Sequence, residues 1–219
     1  MWARWGIFCL HPTVELRHLD VPTQSQRKLR SKIVAAVLVG DTSALASELV
    51  LERVPYIFKN DWSSCRDWKR QLAEKIDIDP CDIFITGSAA TGISLSPYKN
   101  FSFFDDKSDV DVAIISPHHF DTAWRHLRTL RRSALKRAEW DAIILHKENY
   151  IYWGCIATDR VLHLLPFGPT WLAALAYMEG TLPVGGRSVS ARIYRDARSL
   201  RDYTAATLRS LKANLAVAA

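Results

Sequence analysis

The chain has 219 residues, of which 48% are hydrophobic and 24% are charged, and its formal net charge is +6. These proportions exclude an intrinsically disordered or membrane-embedded chain, and the length allows one good core or a catalytic domain with a helical appendage. The positive charge is compatible with nucleotides or nucleic acid as partners, although many basic proteins bind neither.

The N-terminal third is predicted to be an arm followed by helices. Residues 1–22 contain two prolines and no clear period, so we expect an arm with one short strand around residues 13–16. From Gln24 onward, apolar residues recur at helical intervals. The other side of this helix is basic, with Arg27, Lys28, Arg30 and Lys32. We interpret that side as a solvated face, with nucleic-acid contact as the alternative.

Two further helices are predicted before the first strand. Asp41 supplies a cap for a helix that runs to about residue 53, and Asp61 caps another over Trp62–Ile76. We expect residues 1–78 to form the arm and helices that pack on the catalytic domain. Residues 79–219 are then the catalytic domain, which ends in a long helix.

A buried strand followed by a turn of small residues comes next. The strand is Ile83–Thr86, which is β-branched and aromatic, and it leads directly into Gly87 and Ser88. Glycine lets the backbone approach a ligand closely, and a strand that feeds a helix N-terminus presents free N–H groups to an anion. The pattern favours a phosphate site at Gly87 and Ser88, with an ordinary turn as the alternative.

A pair of aspartates begins the second strand. Asp109 and Asp111 precede a continuous apolar run, and a spacing of two places both carboxylates on one face of a strand while Val110 and Val112 face the protein interior. Two adjacent carboxylates repel each other unless a cation lies between them. A hard divalent ion, Mg²⁺ or Mn²⁺, fits these oxygen ligands, with a solvated strand edge as the alternative.

Together these residues resemble the nucleotidyltransferase (DNA polymerase beta-like) superfamily, and a small bacterial-type member of it in particular. The superfamily's mark is Gly-Ser at one strand end and Asp-x-Asp on the next strand, here Gly87, Ser88, Asp109 and Asp111. The resemblance implies an α/β (α+β) fold with a mixed sheet flanked by helices. It also implies that Asp109 and Asp111 are catalytic metal ligands and that Gly87 and Ser88 bind the nucleotide.

One feature departs from the minimal pattern of the superfamily. Twenty residues separate Ser88 from Asp109, whereas minimal members have a shorter connection. The additional stretch, residues 94–107, is predicted to be a loop beside the active site, which becomes ordered when a nucleotide binds.

After the second strand, Pro117 and Asp121 precede a predicted helix with Trp124 and Leu127 on its apolar side. Its other side is a predicted cationic face of Arg125, Arg128, Arg132, Lys136 and Arg137. This cationic face has two interpretations, a surface exposed only to solvent and a surface that contacts the phosphates of a polynucleotide. From residue 141 to residue 167 the pattern is ambiguous between helix and strand.

The C-terminal part is predicted to hold a strand over Val189–Tyr194 and then a final helix capped by Asp196. The family resemblance implies a third carboxylate on a later strand, which commonly activates the acceptor hydroxyl. Asp159 is the first candidate, followed by Asp141 and Asp196. If the later strand is Val189–Tyr194, Arg192 lies where that carboxylate is expected, and arginine binds triphosphate but not metal.

Three functions follow from these patterns. The first is transfer of a nucleoside monophosphate from NTP to a protein, RNA or nucleotide acceptor, possible settings being toxin–antitoxin systems and antiphage defence. The second is a nucleic-acid-binding module, and the third is an inactive subunit that holds a partner protein or a second copy of this chain. The four cysteines form no zinc or disulfide pattern and no apolar run is long enough to cross a bilayer, so we expect a cytoplasmic protein without a membrane partner.

Overall fold

The computed structural model describes residues 22–217. The fold is α+β, with a four-stranded mixed sheet and helices around it. The strands are β1 (Ile83–Thr86), β2 (Val110–Ile115), β3 (Cys155–Ala157) and β4 (Val189–Tyr194). The helices are α1 (Gln24–Val39), α2 (Thr42–Ala46), α3 (Trp62–Ile76), α4 (Gly87–Thr91), α5 (Pro117–Thr129), α6 (Arg137–Leu145), α7 (Gly168–Glu179) and α8 (Ala197–Val217).

The sheet has the strand order β1-β2-β4-β3. Strand β2 pairs antiparallel with β1 and parallel with β4, while β3 pairs antiparallel with β4. The register aligns Thr86, Asp111 and Ser190 across the three neighbouring strands. A residue near the end of β1, an aspartate of β2 and a serine of β4 therefore lie side by side.

Both faces of the sheet are covered by helices. One hydrophobic cluster joins Ile83, Ile85 and Val112 to buried residues of α3, α5 and α7. The other joins Ala113 and Tyr194 to α1, α2 and α8. Because alternate strand residues enter different clusters, the sheet is the central layer, and the apolar run of β2 is explained by burial on both sides.

Most of the predicted elements are confirmed, and their capping residues explain their bounds. Thr23 and Gln26 form a reciprocal capping box at the start of α1. Asp61 accepts a hydrogen bond from the Ser64 N–H (3.0 Å) at the start of α3. Asp196 does the same for the Ser199 N–H (2.7 Å) at the start of α8. The strands predicted at residues 83, 110 and 189 also stand where the sequence places them.

The basic helix after β2 is shorter than predicted. The prediction that its five cations form one helix face is therefore wrong. Helix α5 ends at Thr129, because Leu130 turns to an extended conformation and packs on the core, as does Leu135. A 3₁₀ turn follows, and α6 begins at Arg137. The predicted cations are thus divided between two helices and a linker.

Two other segments also differ in detail from prediction. The second helix changes from α to a π-helical turn after Ala46 and ends at Leu51. The ambiguous region contains α6, the short β3 and several 3₁₀ turns, including Leu162–Leu164. The strand predicted around residues 13–16 lies outside the described residues. Within residues 22–217, no helix is both long and apolar enough to cross a membrane.

Candidate active site

The centre of the candidate site is the contact between the turn after β1 and an aspartate of β2. Gly87 has a left-handed backbone, with φ of 62°. A Cβ atom added to it would lie 2.5 Å from Oδ2 of Asp111. Such a separation is too short for two non-bonded atoms, so a side chain here would displace Oδ2, and the left-handed conformation independently favours glycine. The predicted Gly-Ser turn therefore touches the predicted carboxylate directly.

Asp111 is held in place from two sides. Its Oδ1 accepts a hydrogen bond from Ser190 Oγ at 3.0 Å, and its main-chain oxygen accepts one from Thr86 Oγ1 at 3.3 Å. The side chain is half-buried. The register of the sheet thus fixes the carboxylate before any ligand is present, which is how a binding group avoids reorganisation.

Asp109 stands one residue before β2 and is exposed. Val110 and Val112 are 0% and 1% exposed, so the alternation of the strand directs both aspartates away from that core. Asp109 has no ion-pair or hydrogen-bond partner for its side chain among residues 22–217. It is the more accessible member of the pair.

The turn itself is short and firmly closed. Helix α4 has only five residues, Gly87–Thr91, so its dipole is much weaker than the sequence pattern suggested. Thr91 is fully buried, and its hydroxyl lies 2.6 Å from the oxygen of Ile93 and 3.2 Å from that of Gly87. Anion binding at Ser88 would consequently depend on individual N–H and O–H groups.

These residues open into a cleft of about 580 Å³. Gly87, Ser88 and Asp111 line one part of it. Arg192 on β4, Tyr203 on α8 and Trp153 line another part. Asp111 is the one acidic residue among those that line the cleft within the described part of the chain, and Lys99 and Arg192 are the cations. The volume is of the size found for small-molecule sites.

Arg192 is the cation built into this cleft. Its Nη1 donates a hydrogen bond to Tyr203 Oη at 2.7 Å, and its guanidinium carbon lies 5.6 Å and 5.8 Å from the ring centres of Tyr203 and Tyr150. Burial opposes its charge, but the phenols of Tyr203 and Tyr194 outweigh burial and raise the pKa of the guanidinium. No carboxylate pairs with it among residues 22–217.

The long connection between β1 and β2 folds back beside the cleft, as predicted. The N–H of Ser94 donates to the oxygen of Ser102 (2.7 Å), and residues 95–99 reach the cleft wall. Tyr98 is 93% exposed at the cleft wall. The far end is fixed by Arg187, which donates to the Asp105 oxygen (3.2 Å) and to Asp106 Oδ1 (2.6 Å).

None of the three candidates for a third carboxylate lines the cleft. Asp159 lies in a 3₁₀ turn, 3.9 Å from Arg160. Asp141 is on α6, 3.7 Å from Arg137, and Asp196 caps α8. Across residues 22–217, no three His, Cys, Asp or Glu side chains form a group that would bind a metal ion.

Asp111 fits a magnesium site of a particular kind, whereas Asp109, two residues earlier on the same side of the strand, does not line the cleft within the described part of the chain. Mg²⁺ is commonly held by one or two carboxylates together with substrate phosphates, rather than by a complete cage of protein ligands. Asp111 is pre-oriented by Ser190, and the missing Cβ at Gly87 gives its Oδ2 the room for that orientation. The donor set therefore suits a metal ion that arrives with a phosphate ligand.

Ser190, Tyr203 and Trp153 belong to the candidate site but are not predicted from the sequence. Ser190 carries a detectable signal, because it precedes Arg192 by two residues on a predicted strand and so shares its face. Tyr203 and Trp153 carry none, since aromatic residues on helices and turns are usually core residues.

Comparisons of the chain with protein-family models, with curated proteins and with solved structures gave no match.

Proposed function

We propose that this chain is a metal-dependent nucleotidyltransferase of the polymerase-beta-like type. It would transfer a nucleoside monophosphate from NTP to an acceptor. The observation that carries the proposal is the apposition of Gly87 and Asp111, in which a turn without a side chain lies 2.5 Å, measured from the ideal Cβ position, from a carboxylate oxygen. This contact places the proposed phosphate-binding turn beside the proposed metal-binding carboxylate, as transfer from a metal-bound triphosphate requires.

Each residue has a role in this proposal. Ser88 and the backbone around Gly87 bind phosphate oxygens of the nucleotide. Asp109 and Asp111 hold Mg²⁺ or Mn²⁺, which offsets negative charge on the triphosphate and on the pyrophosphate that leaves. Ser190 keeps Asp111 in one orientation through its 3.0 Å hydrogen bond, so the carboxylate is ready when the substrate arrives.

The arrangement of the sheet supports the same reading. The turn that follows β1, the aspartate of β2 and the face of β4 meet in one cleft, although they are distant in sequence. The fold around them is the mixed sheet with flanking helices that the resemblance implies. Among residues 22–217, Asp111 is the one carboxylate in the cleft lining, so the positions of Asp109 and of a third carboxylate both depart from that resemblance.

The experiment is a transfer assay with each α-³²P-labelled NTP and Mg²⁺. We expect a labelled product from the wild-type chain, either alone or with added RNA, protein or small phosphorylated acceptors, and none after EDTA treatment. The double variant D109N/D111N should give none either. A wild-type chain that forms no product and binds no Mg²⁺·NTP would contradict the proposal.

A second candidate is a nucleotide-binding module without transfer activity. The observation in its favour is that β4 presents Ser190 and Arg192 toward the site and no carboxylate. Magnesium-dependent NTP binding without any product would favour this candidate. The same assay thus separates the two functions.

A further inference from the structure

Arg192 is a cation of the cleft that has no role in the proposed binding of the nucleotide and its metal ion. It follows Ser190 by two residues on β4, so the two Cα atoms are roughly 7 Å apart along the strand and both side chains share one face. Ser190 contacts Asp111, whereas Arg192 extends toward α8 and the tyrosine there. The cleft therefore has a cationic part beside its acidic part.

Among the described residues, no carboxylate pairs with Arg192, although the hydrogen bond to Tyr203 stabilises its guanidinium. Burial raises the pKa of Cys155 to about 11 and also raises the pKa values of Tyr194 and Tyr203. These neighbours are consequently neutral near pH 7. Asp111 is the one carboxylate in the cleft lining described by the structure, and it already has Ser190 and, in our proposal, a metal ion. A half-buried guanidinium with neutral neighbours is stabilised by an anionic ligand.

The orientation of the guanidinium is fixed. One nitrogen donates to Tyr203, and the tyrosine rings at 5.6 Å and 5.8 Å confine its plane. The remaining N–H groups keep the fork geometry that matches two oxygens of a phosphate group. This is preorganisation for an anion, since little side-chain freedom remains to be lost on binding.

The described residues of the cleft also offer no free base for a neutral acceptor. An alcohol must lose its proton when it attacks phosphorus, and a free carboxylate or histidine usually accepts it. No histidine lines the described cleft, and its one aspartate, Asp111, is assigned to the metal. An acceptor that arrives already ionised needs no such base.

We propose that Arg192 and Tyr203 form the acceptor subsite and that the acceptor is a phosphate monoester. This rests on the proposed function. An anionic oxygen of the acceptor phosphate attacks the α-phosphorus of NTP, and a P–O–P bond forms. The bond between the α-phosphorus and its bridging oxygen to the β-phosphorus breaks, and pyrophosphate leaves with those electrons. No proton transfer to a protein base and no redox partner is needed.

The first test is calorimetric titration of the chain at pH 8 with inorganic phosphate and phenyl phosphate, and with phenol as the uncharged counterpart. We expect both phosphates to bind more tightly than phenol. Arg192→Gln should weaken phosphate binding by about 10- to 100-fold, the range for loss of a charge-assisted contact. Arg192→Lys should lie between the two, because it keeps the charge and loses the fork.

Arg195→Gln is the matched control, because it removes the same charge from a residue that pairs with Asp196 outside this cleft. It should leave phosphate affinity unchanged. Circular dichroism of each variant establishes that it is folded, and Arg192→Lys keeps the test valid if Arg192→Gln is not. Equal phosphate affinity in the wild type and in the folded Arg192 variants overturns the subsite.

The second test asks whether the two ligands bind together. Phenyl phosphate is titrated into protein saturated with Mg²⁺ and α,β-methylene-ATP, a nucleotide that cannot transfer. Retained binding supports an acceptor subsite. Displacement by the nucleotide overturns it, because Arg192 would then bind the nucleotide's own phosphates, while the proposed function stands. If Mg²⁺·nucleotide does not bind at all, but phosphate binds through Arg192, the transfer proposal fails and the anion site remains.

Discussion

At the scale of single residues, Gly87 is constrained both by its left-handed backbone and by its contact with the carboxylate of Asp111. We expect Gly87→Ala to lower metal and nucleotide affinity at least tenfold, because the new methyl group must displace Oδ2 of Asp111. The left-handed backbone adds about 1 kcal/mol of strain, or roughly 2–4 °C in the melting temperature of a chain this size. Thermal melts and magnesium titration measure the two effects.

Gly185→Ala is the control for this substitution. Gly185 has φ of 63°, but the atoms nearest to its would-be Cβ are 3.8 Å away. It should show the same loss of stability without any loss of affinity. If both variants bind metal and nucleotide normally, the space at Gly87 has no role in binding.

The two aspartates should differ in how their loss affects the fold. Asp109→Ala should abolish nucleotide transfer and leave stability within about 0.5 kcal/mol of the wild type, because the side chain is exposed and without a partner in the described part of the chain. Asp111→Asn should also abolish transfer, with an intact hydrogen bond to Ser190. Asp67→Ala, at another exposed aspartate, is the control. Calorimetry that finds equal Mg²⁺ binding in all four proteins contradicts the metal site.

The residues of the candidate site could be predicted from sequence to different degrees. Gly87, Ser88, Asp109 and Asp111 are readable because each residue type is constrained by its position at a strand end. The contact of Ser190 with Asp111 cannot be predicted from local sequence, since it depends on the parallel register between β2 and β4. Tyr203 lies on α8, and the rotation of this helix about its axis determines whether the tyrosine side chain reaches Arg192. Local sequence does not specify that rotation.

At the scale of elements, the connection from residue 94 to residue 107 is fixed at its far end by Arg187 and free at Tyr98. We expect residues 98–104 to gain protection from hydrogen exchange when Mg²⁺ and NTP bind, because Tyr98 and Lys99 line the cleft and should carry the following residues onto the ligand. Residues 105–107 should change little, since Arg187 already orders them. Unchanged protection across residues 98–104 would count against a role in binding.

The attachment of β3 to α6 depends on a buried histidine. His146 is 0% exposed, and it accepts a hydrogen bond from the Ala157 N–H at Nε2 (3.0 Å) while Nδ1 lies 2.6 Å from the oxygen of Ala142. Burial lowers its pKa below the usual 6.5, despite the nearby carbonyls. The folded state therefore binds fewer protons than the unfolded state below about pH 6.5, and stability falls as the pH drops through that value.

We expect the free energy of unfolding to decrease between pH 7.5 and pH 5.5, measured by urea denaturation. His146→Gln should be less stable at pH 7.5 by about 1–3 kcal/mol through its lost buried contacts, and its stability should depend less on pH. His119, whose pKa is also lowered by burial, contributes a residual dependence of the same sign. An unchanged slope in His146→Gln contradicts the assignment.

Prediction of elements succeeded where local signals are strong. Capping residues predict the starts of α2, α3 and α8, and continuous apolar runs predict β1 and β2. It failed around residue 130, where helical periodicity continues in the sequence but Leu130 and Leu135 turn to the core. It was also undecided over β3, because three residues are too few for a period and their pairing with β4 is a tertiary effect.

At the scale of the whole molecule, the excess positive charge is only partly compensated. Arg125 and Arg137 pair with Asp121 (2.9 Å) and Asp141 (3.7 Å). Arg128, Arg131 and Arg132 are exposed and pair with no carboxylate within residues 22–217. Arg128 lies in the last turn of α5 and the other two in the linker that follows, and we call the three together the linker arginines.

We expect the chain to bind single-stranded RNA weakly and with strong salt dependence, as phosphate contacts dominate such affinity. Replacing all three linker arginines by glutamine should reduce the slope of log K against log salt by about 2, at roughly 0.7 per contact. Replacing Arg125 and Arg137 should have less effect, because their charges are already paired. Filter binding at several salt concentrations measures both slopes, and identical slopes would exclude the linker arginines as a contact surface.

The pairing of β2 with β4 also determines when the site can exist during synthesis. Asp111 meets Ser190 only after the 78 intervening residues have been made, and parallel pairing at such a distance forms slowly. Until then β2 has an unpaired edge and a continuous apolar sequence, which is a template for association with other chains. A ribosome-bound chain that has not yet reached residue 188 therefore lacks the cleft and carries an aggregation-prone strand, so binding competence and protection from aggregation are acquired in the same late step.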